Sequence, residues 1–307
     1  MLRFSAFAAC IFAAWTSLAA ADPIYDRKED VVYGRKYGTA LTMDVFTPKD
    51  KPNGAGVVFC VSGGFFSSKE SINPKTYEEF LKRGYAVFAV VHGSQPKFTV
   101  PEIVEDMHRS IRFIRSKAKD YKIDPDRLGI TGASAGGHLS LMMGTTGKAG
   151  EAKAKDPVDR ESSKVAAVAC FFPPTDFLNF GKEGNVALGT NILAAFRAPF
   201  DFKEFDSKTR TFERIIDEKK TLAIGKAISP VYHVTKATVP TLLIHGDKDG
   251  LVPLQQSELM AARLEAEGVA HELVVKKGAD HGWVGIEKDL ANFADWFDKH
   301  TKAKAEK

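Results

Sequence analysis

The chain alternates between short, continuously apolar runs and longer stretches with one apolar face. Two early runs, DVVYGRKYG and ALTMDVFTP, alternate polar and apolar residues around a turn at Gly38-Thr39 and predict an opening hairpin. Apolar runs follow at GVVFCVSGG, YAVFAVVHG, RLGITGAS, VAAVACFFPP, TVPTLLIHGD and HELVVKKG. Runs of this length bounded by turn residues read as strands buried on both faces. Between them lie helical segments from Thr76 to Arg83, from near Pro101 to Asp120, after Ala135-Gly136-Gly137, from near Pro253 to Gly268, and at the end of the chain. The second of these lines up Ile103, Met107, Ile111 and Ile114. Strands alternating with helices predict an α/β protein with a mostly parallel central sheet covered on both faces.

Two segments break the rhythm. Residues 145–164 are polar, with the run KAGEAKAKDPVDRESSK, and read as a solvated, partly helical surface loop. Residues 177–236 carry Phe177, Phe180, Phe196, Phe200, Phe202, Phe205 and Phe212 among many charges, without strand alternation. An insertion there sits above the carboxyl ends of the strands, where open α/β sheets bind ligands. Two readings stand side by side: a cap that gives aromatic walls to a pocket, and aromatics that only pack the insertion onto the core.

Composition narrows the class. The 307 residues are 44% hydrophobic, which is ordinary for a globular protein, and residues 22–307 read as one large domain. Residues 1–21 are set apart: a basic Met1-Leu2-Arg3, the apolar FSAFAACIFAAWTSLAA and an Ala-x-Ala site before Asp22 predict a signal peptide. That reading implies a periplasmic or secreted protein with no stable membrane insertion after cleavage. The net charge is only +4, and no basic stripe with interleaved aromatics suggests a nucleic-acid partner. Of the three cysteines, Cys10 lies in the leader. Cys60 and Cys170 fall in apolar runs expected to form non-neighbouring strands, so free, inert thiols are expected rather than a disulfide.

The chemistry turns on Gly132-Ala133-Ser134-Ala135-Gly136, which follows the strand RLGIT and opens a helix. A G-x-S-x-G motif in that context places the serine on a sharp turn whose neighbours must be small, and Ser134 is the expected nucleophile. The amide of Ala135, at the start of the helix, is an expected oxyanion donor. A serine of this kind needs a base and an orienting acid, in the chain order Ser, Asp, His. Of eight histidines, His281 alone occupies a glycine-flanked loop, GADHGW, between the last strand and the last helix. His92 and His245 end strands and could line the site; His108, His138, His233, His271 and His300 sit where structural or solvated roles are expected. The acid loop offers two residues: Asp249, which precedes Gly250, and Asp247, which sits at the strand end and could simply satisfy turn amides.

VSGGFF, DPDRLGITGASAGGHLSL, FFPPTD, LLIHGDKDGLVP and GADHGW together resemble the acetyl-esterase and lipase-like branch of the α/β-hydrolase superfamily, over nearly all the chain after the leader. The resemblance implies Ser134 as nucleophile, His281 as base and Asp249, the second Asp of an HGDxDxxVP loop, as acid. It also implies no cofactor and no metal, and a small-molecule or polysaccharide ester as substrate. The chain departs from the branch at one place. Where relatives carry HGGG, it reads Ser62-Gly63-Gly64-Phe65-Phe66, and the expected donors there are the amides of Gly64 and Phe65. Two other classes use or tolerate the same residues: a serine peptidase of the prolyl-oligopeptidase-like type, in which access is typically restricted by an N-terminal propeller for which this chain has no room, and a non-catalytic carbohydrate-binding or structural module.

Overall fold

The computed structural model describes residues 23–301, so the expected leader lies outside the described residues. Strand β1 (Tyr25–Lys36) turns into β2 (Thr39–Pro48) through Tyr37 and Gly38, both at positive φ. A two-residue loop of that kind matches the right-handed twist of the flanking strands. Then come β3 (Gly56–Cys60), α1 (Glu78–Lys82), β4 (Ala86–Val91), α2 (Val100–Ser116), β5 (Leu128–Ala133), α3 (Ala135–Thr146) and β6 (Ala167–Phe171). The insertion follows, with a small hairpin β7 (Lys203–Asp206) and β8 (Thr211–Arg214) and the helix α4 (Glu218–Ala227). The chain closes with β9 (Thr241–Gly246), α5 (Gln255–Ala266), β10 (His271–Lys276) and α6 (Leu290–His300).

The central sheet has eight strands in the order β1-β2-β4-β3-β5-β6-β9-β10. Only the β1–β2 and β2–β4 pairs are antiparallel. From β4 to β10 every neighbour is parallel. This is the α/β-hydrolase fold. Because side chains alternate across each strand, the two faces fill separately. Val57, Val87 and Ala89 meet Phe80, Phe293 and Phe297 of α1 and α6 on one face. Val58, Cys60, Phe88 and Val90 meet Ile103, Met107 and Leu139 of α2 and α3 on the other. Each fully buried Val, Leu, Ile, Phe or Met among them contributes about 1.5–3 kcal/mol, so the strands that hold the site rest on both layers.

Two elements differ from expectation. Helix α2 starts where a Thr99–Glu102 capping box satisfies its first amides, but it ends at Ser116, four residues early. Ala118 and Tyr121 then close tight turns onto Arg115 and Lys117. The segment expected as one helix from Thr76 begins as a 3-10 turn, Pro74–Tyr77, before α1. The polar stretch after α3 holds only one short 3-10 turn, Pro157–Arg160, and is tied to α2 by Arg109 on Asp156 and Asp159.

Cys60 and Cys170 are buried free thiols on β3 and β6, which are separated by β5. Burial pushes the Cys60 thiol up to about 12, against a hydrogen bond with Ser140, and raises Cys170 as well. Thiols held in that state are poor nucleophiles.

The phenylalanines of the insertion divide. Phe177, Phe180, Phe200 and Phe202 are buried, Phe196 is half-buried, and Phe205 and Phe212 are exposed and meet each other across the β7–β8 hairpin. His138 of α3 donates Nε2–H to the Ile228 carbonyl at 2.6 Å, which joins the insertion to the helix behind Ser134. Its Nδ1 has no partner among the described residues, and burial lowers the ring to about 4, so it is neutral.

Candidate active site

Parallel strands deliver their carboxyl-end loops to one edge of the sheet, and every candidate residue lies in such a loop. Ser134 sits between β5 and α3 at φ 54° and ψ −119°. A non-glycine residue in that region carries about 1–3 kcal/mol of strain. The turn is tight enough that a Cβ on Gly132 would lie 2.5 Å from the Gly136 carbonyl carbon, which is why the flanking positions are small. The Ser134 amide donates to Phe171 and its carbonyl accepts from His138, so the turn is pinned at both ends.

His281, after β10, spans the gap between serine and acid. Its Nε2 lies 3.0 Å from Ser134 Oγ and its Nδ1 lies 2.7 Å from Asp249 Oδ2. The ring rests on Phe172, with centroids 4.4 Å apart. An ionised carboxylate only accepts, so Nδ1 carries the proton and Nε2 faces the serine as a lone pair. Asp249 is wholly buried at the side chain. Burial alone would raise its carboxyl, but hydrogen bonds from His245, His281 and the Val252 amide outweigh that and hold it well below the usual carboxylate range. Oδ1 takes the Leu251 and Val252 amides at 2.9 and 2.8 Å. Asp247 is not part of this chain: its Oδ1 takes the Gly278 amide at 2.6 Å, a turn contact.

Two further residues hold this arrangement. His245, at the end of β9, donates Nε2–H to the Val252 carbonyl at 2.8 Å and lies 3.2 Å from Asp249 Oδ2, while Nδ1 meets Ser257 Oγ at 2.7 Å. Asp280 accepts from the Gly250 amide at 2.9 Å and the His281 amide at 2.7 Å, tying the acid loop to the histidine loop.

The SGGFF segment forms a tight turn in which Gly63 and Phe66 exchange hydrogen bonds at 3.0 and 2.8 Å, with Gly64 and Phe65 at φ of 54° and 63°. The loop after β4 holds it from behind. The Ser62 hydroxyl donates to His92 Nε2 at 2.8 Å, since His92 Nδ1–H is given to the Gly93 carbonyl. Burial lowers His92 to about 4, so it stays neutral and able to accept. Ser67 Oγ takes the His92 amide at 3.2 Å, and Ser94 Oγ takes the Ser67 amide at 3.0 Å. Gln95 uses its Nε2 on the Gly64 carbonyl at 3.3 Å and its backbone amide on the Phe65 carbonyl at 3.1 Å. In a trans peptide the amide points opposite to its carbonyl, so the bond to Gly64 turns the Phe65 N–H away from Gln95. The amides of Gly64, Phe65 and Ala135 donate to no protein acceptor among the described residues. His92 is one of the strand-end histidines expected to line the site, whereas Gln95 has no signal in the sequence, because its partner is a backbone carbonyl some thirty residues away.

A family model described as BD-FAE matches residues 43–264, which include Ser134 and Asp249. The chain belongs to the BD-FAE family. This BD-FAE chain is also similar to Esterase LipQ of Mycobacterium tuberculosis, 26% identical over 78% of this chain and 53% of that protein. It spans about half to three fifths of the length of this and two other similar curated ester hydrolases of Mycobacterium tuberculosis. Two solved structures share the fold. A truncated carbohydrate esterase from gut microbiota has a TM-score of 0.72 at 24% identity, covering 92% of this chain and 98% of that one. An acetyl ester-xyloside bifunctional hydrolase from Caldicellulosiruptor lactoaceticus has a TM-score of 0.70 at 21% identity, covering 88% and 95%.

Proposed function

We propose that this chain is a serine ester hydrolase that works through an acyl-enzyme on short-chain or carbohydrate-linked esters. The observation that carries the reading is His281 bridging Ser134 and the buried, ionised Asp249 within hydrogen-bond distance of each. The names of similar proteins, Esterase LipQ among them, support ester hydrolysis.

The proton of Ser134 passes to His281 Nε2 as Oγ attacks the ester carbonyl carbon and forms a C–O bond. Asp249 stabilises the resulting imidazolium. The carbonyl electron pair moves onto oxygen, where the amides of Ala135, Gly64 and Phe65 are the proposed donors. Donors held in place before the reaction are worth about 100- to 1,000-fold each in turnover. Collapse of the intermediate breaks the bond to the alcohol oxygen, which takes the proton back from His281. Water, deprotonated by the same nitrogen, then releases the acid and restores Ser134.

The test compares p-nitrophenyl acetate with a peptide p-nitroanilide on purified protein. Ester turnover well above the buffer rate, with the anilide at background, is expected. Anilide hydrolysis matching ester hydrolysis would favour a peptidase, and turnover of neither would favour a binding module.

A further inference from the structure

The SGGFF turn that carries two of the proposed oxyanion donors is gripped by the loop after β4, and that loop is fastened to a carboxylate outside the site. Asp106, buried on α2, takes the Gly93 amide on Oδ2 at 2.9 Å. The same oxygen lies 2.7 Å from Lys36 Nζ at the end of β1. Lys36 is itself fixed: its ammonium donates to the Glu102 carbonyl at 3.2 Å and lies 4.0 Å from the centre of the Phe98 ring. The packing here has no slack. A Cβ added to Gly93 would lie 2.7 Å from Asp106 Oδ2, 2.8 Å from Phe98 Cδ2 and 2.9 Å from Lys36 Cε, so glycine is what lets the loop sit this close to α2.

We infer that Asp106 is a positioning residue for the oxyanion loop, acting through Gly93 and His92. The inference rests on the ester-hydrolase reading above. Gly93 is held at both ends, since its amide meets Asp106 and its carbonyl accepts His92 Nδ1–H at 2.8 Å. That second bond leaves the lone pair of His92 Nε2 for the Ser62 hydroxyl, 2.8 Å away. Ser62 opens the turn that presents the Gly64 and Phe65 amides, and Gln95, two residues past Gly93, holds the carbonyls of the same two residues. A shift of the loop at Gly93 is therefore passed to both donors. Hydrogen bonds to a carboxylate are about twice as strong as neutral ones, which makes Asp106 the firm end of this path.

A role in positioning differs from a role in stability alone. An ion pair that served only to join α2 to β1 would need no acceptor for Gly93, and its loss would lower the melting temperature without changing the chemistry of the folded enzyme. Donors to an oxyanion act in the transition state, so a misplaced donor lowers kcat and leaves substrate binding nearly intact. A displacement of about 1 Å at such a site costs about 100-fold in rate.

The test measures kcat and KM for p-nitrophenyl acetate, with a thermal melt on each preparation, in the wild type, Asp106→Asn, Asp106→Leu, His92→Leu and the double variant Asp106→Leu/His92→Leu. Asp106→Leu and His92→Leu are each expected to lower kcat by about 10- to 100-fold with KM within about threefold of wild type. Asp106→Asn loses the ion pair but keeps an oxygen for the Gly93 amide, and should recover most of that kcat. The double variant should be little slower than the slower single variant, because both changes cut one path. Gly93→Ala, which drives the loop away from Asp106 and keeps both side chains, gives the same kcat readout if Asp106→Leu does not fold. Wild-type kcat in a folded Asp106→Leu or Gly93→Ala protein, equal losses in the Asn and Leu variants, or losses that multiply in the double variant would overturn the inference. Ser134-dependent turnover untouched by these changes sinks the positioning role alone, whereas no Ser134-dependent turnover in the wild type sinks the hydrolase reading beneath it.

Discussion

Ser134→Ala is expected to lower p-nitrophenyl acetate turnover by about a million-fold. The substitution removes one oxygen and leaves the rest of the site in place. Among the described residues Ser134 Oγ has a single partner, His281 Nε2, whereas the backbone that forces φ to 54° is set by Gly132, Phe171 and His138. Alanine adopts the same turn with the same strain, so the melting temperature should hold within a few degrees, a shift of order 1 kcal/mol or less. Any residual rate would come from oxyanion amides and substrate positioning, which remain after a nucleophile is lost. Initial rates and a thermal melt on the same preparation separate the loss of chemistry from loss of fold. A variant hydrolysing the ester as fast as the wild type would remove Ser134 from the mechanism.

Asp249→Asn is expected to lower turnover by about ten thousand-fold. The buried carboxylate faces His281 Nδ1 through Oδ2, and Oδ1 is already taken by two amides. An asparagine that keeps its oxygen on those amides presents Nδ2–H₂ to the imidazole. Two donors then confront each other, and relief requires His281 to move its proton to Nε2. In that tautomer the base has no lone pair toward Ser134. The imidazolium of the transition state also loses its counter-charge. Asp247→Asn supplies the internal comparison, since among the described residues the Asp247 side chain accepts only the Gly278 amide, and its change should leave turnover within about a few fold. Measuring both variants at pH 7 and above distinguishes the two acids. If the Asp247 variant were the dead one, the orienting acid would be misassigned.

Much of this frame is legible in the chain because it depends on local patterns. Continuous apolar runs such as GVVFC and TLLIHG mark strands buried on both faces. Small residues around Ser134 reflect a turn in which Gly132 and Gly136 nearly touch. The preference for Asp249 over Asp247 draws partly on resemblance, since either residue satisfies the chain order of the three groups. What the chain does not disclose is long-range and aperiodic. Gln95 and Asp280 act through bonds to backbone groups of distant loops and His92 through the hydroxyl of Ser62, and such bonds leave no periodic trace. The phenylalanines of the insertion carry no repeat to separate those beside Ser134, such as Phe196 and Phe200, from those left in solvent, such as Phe205 and Phe212. Helix α2 ends at Ser116 because the chain turns back on itself, although the sequence beyond remains compatible with helix.

The most direct test of the convergence of Ser134, His281 and Asp249 is covalent labelling by a fluorophosphonate, followed by peptide mass mapping. The account predicts one adduct, located on Ser134, and a labelling rate that collapses in His281→Ala. An adduct on another residue, or equal labelling rates with and without the imidazole, would contradict it.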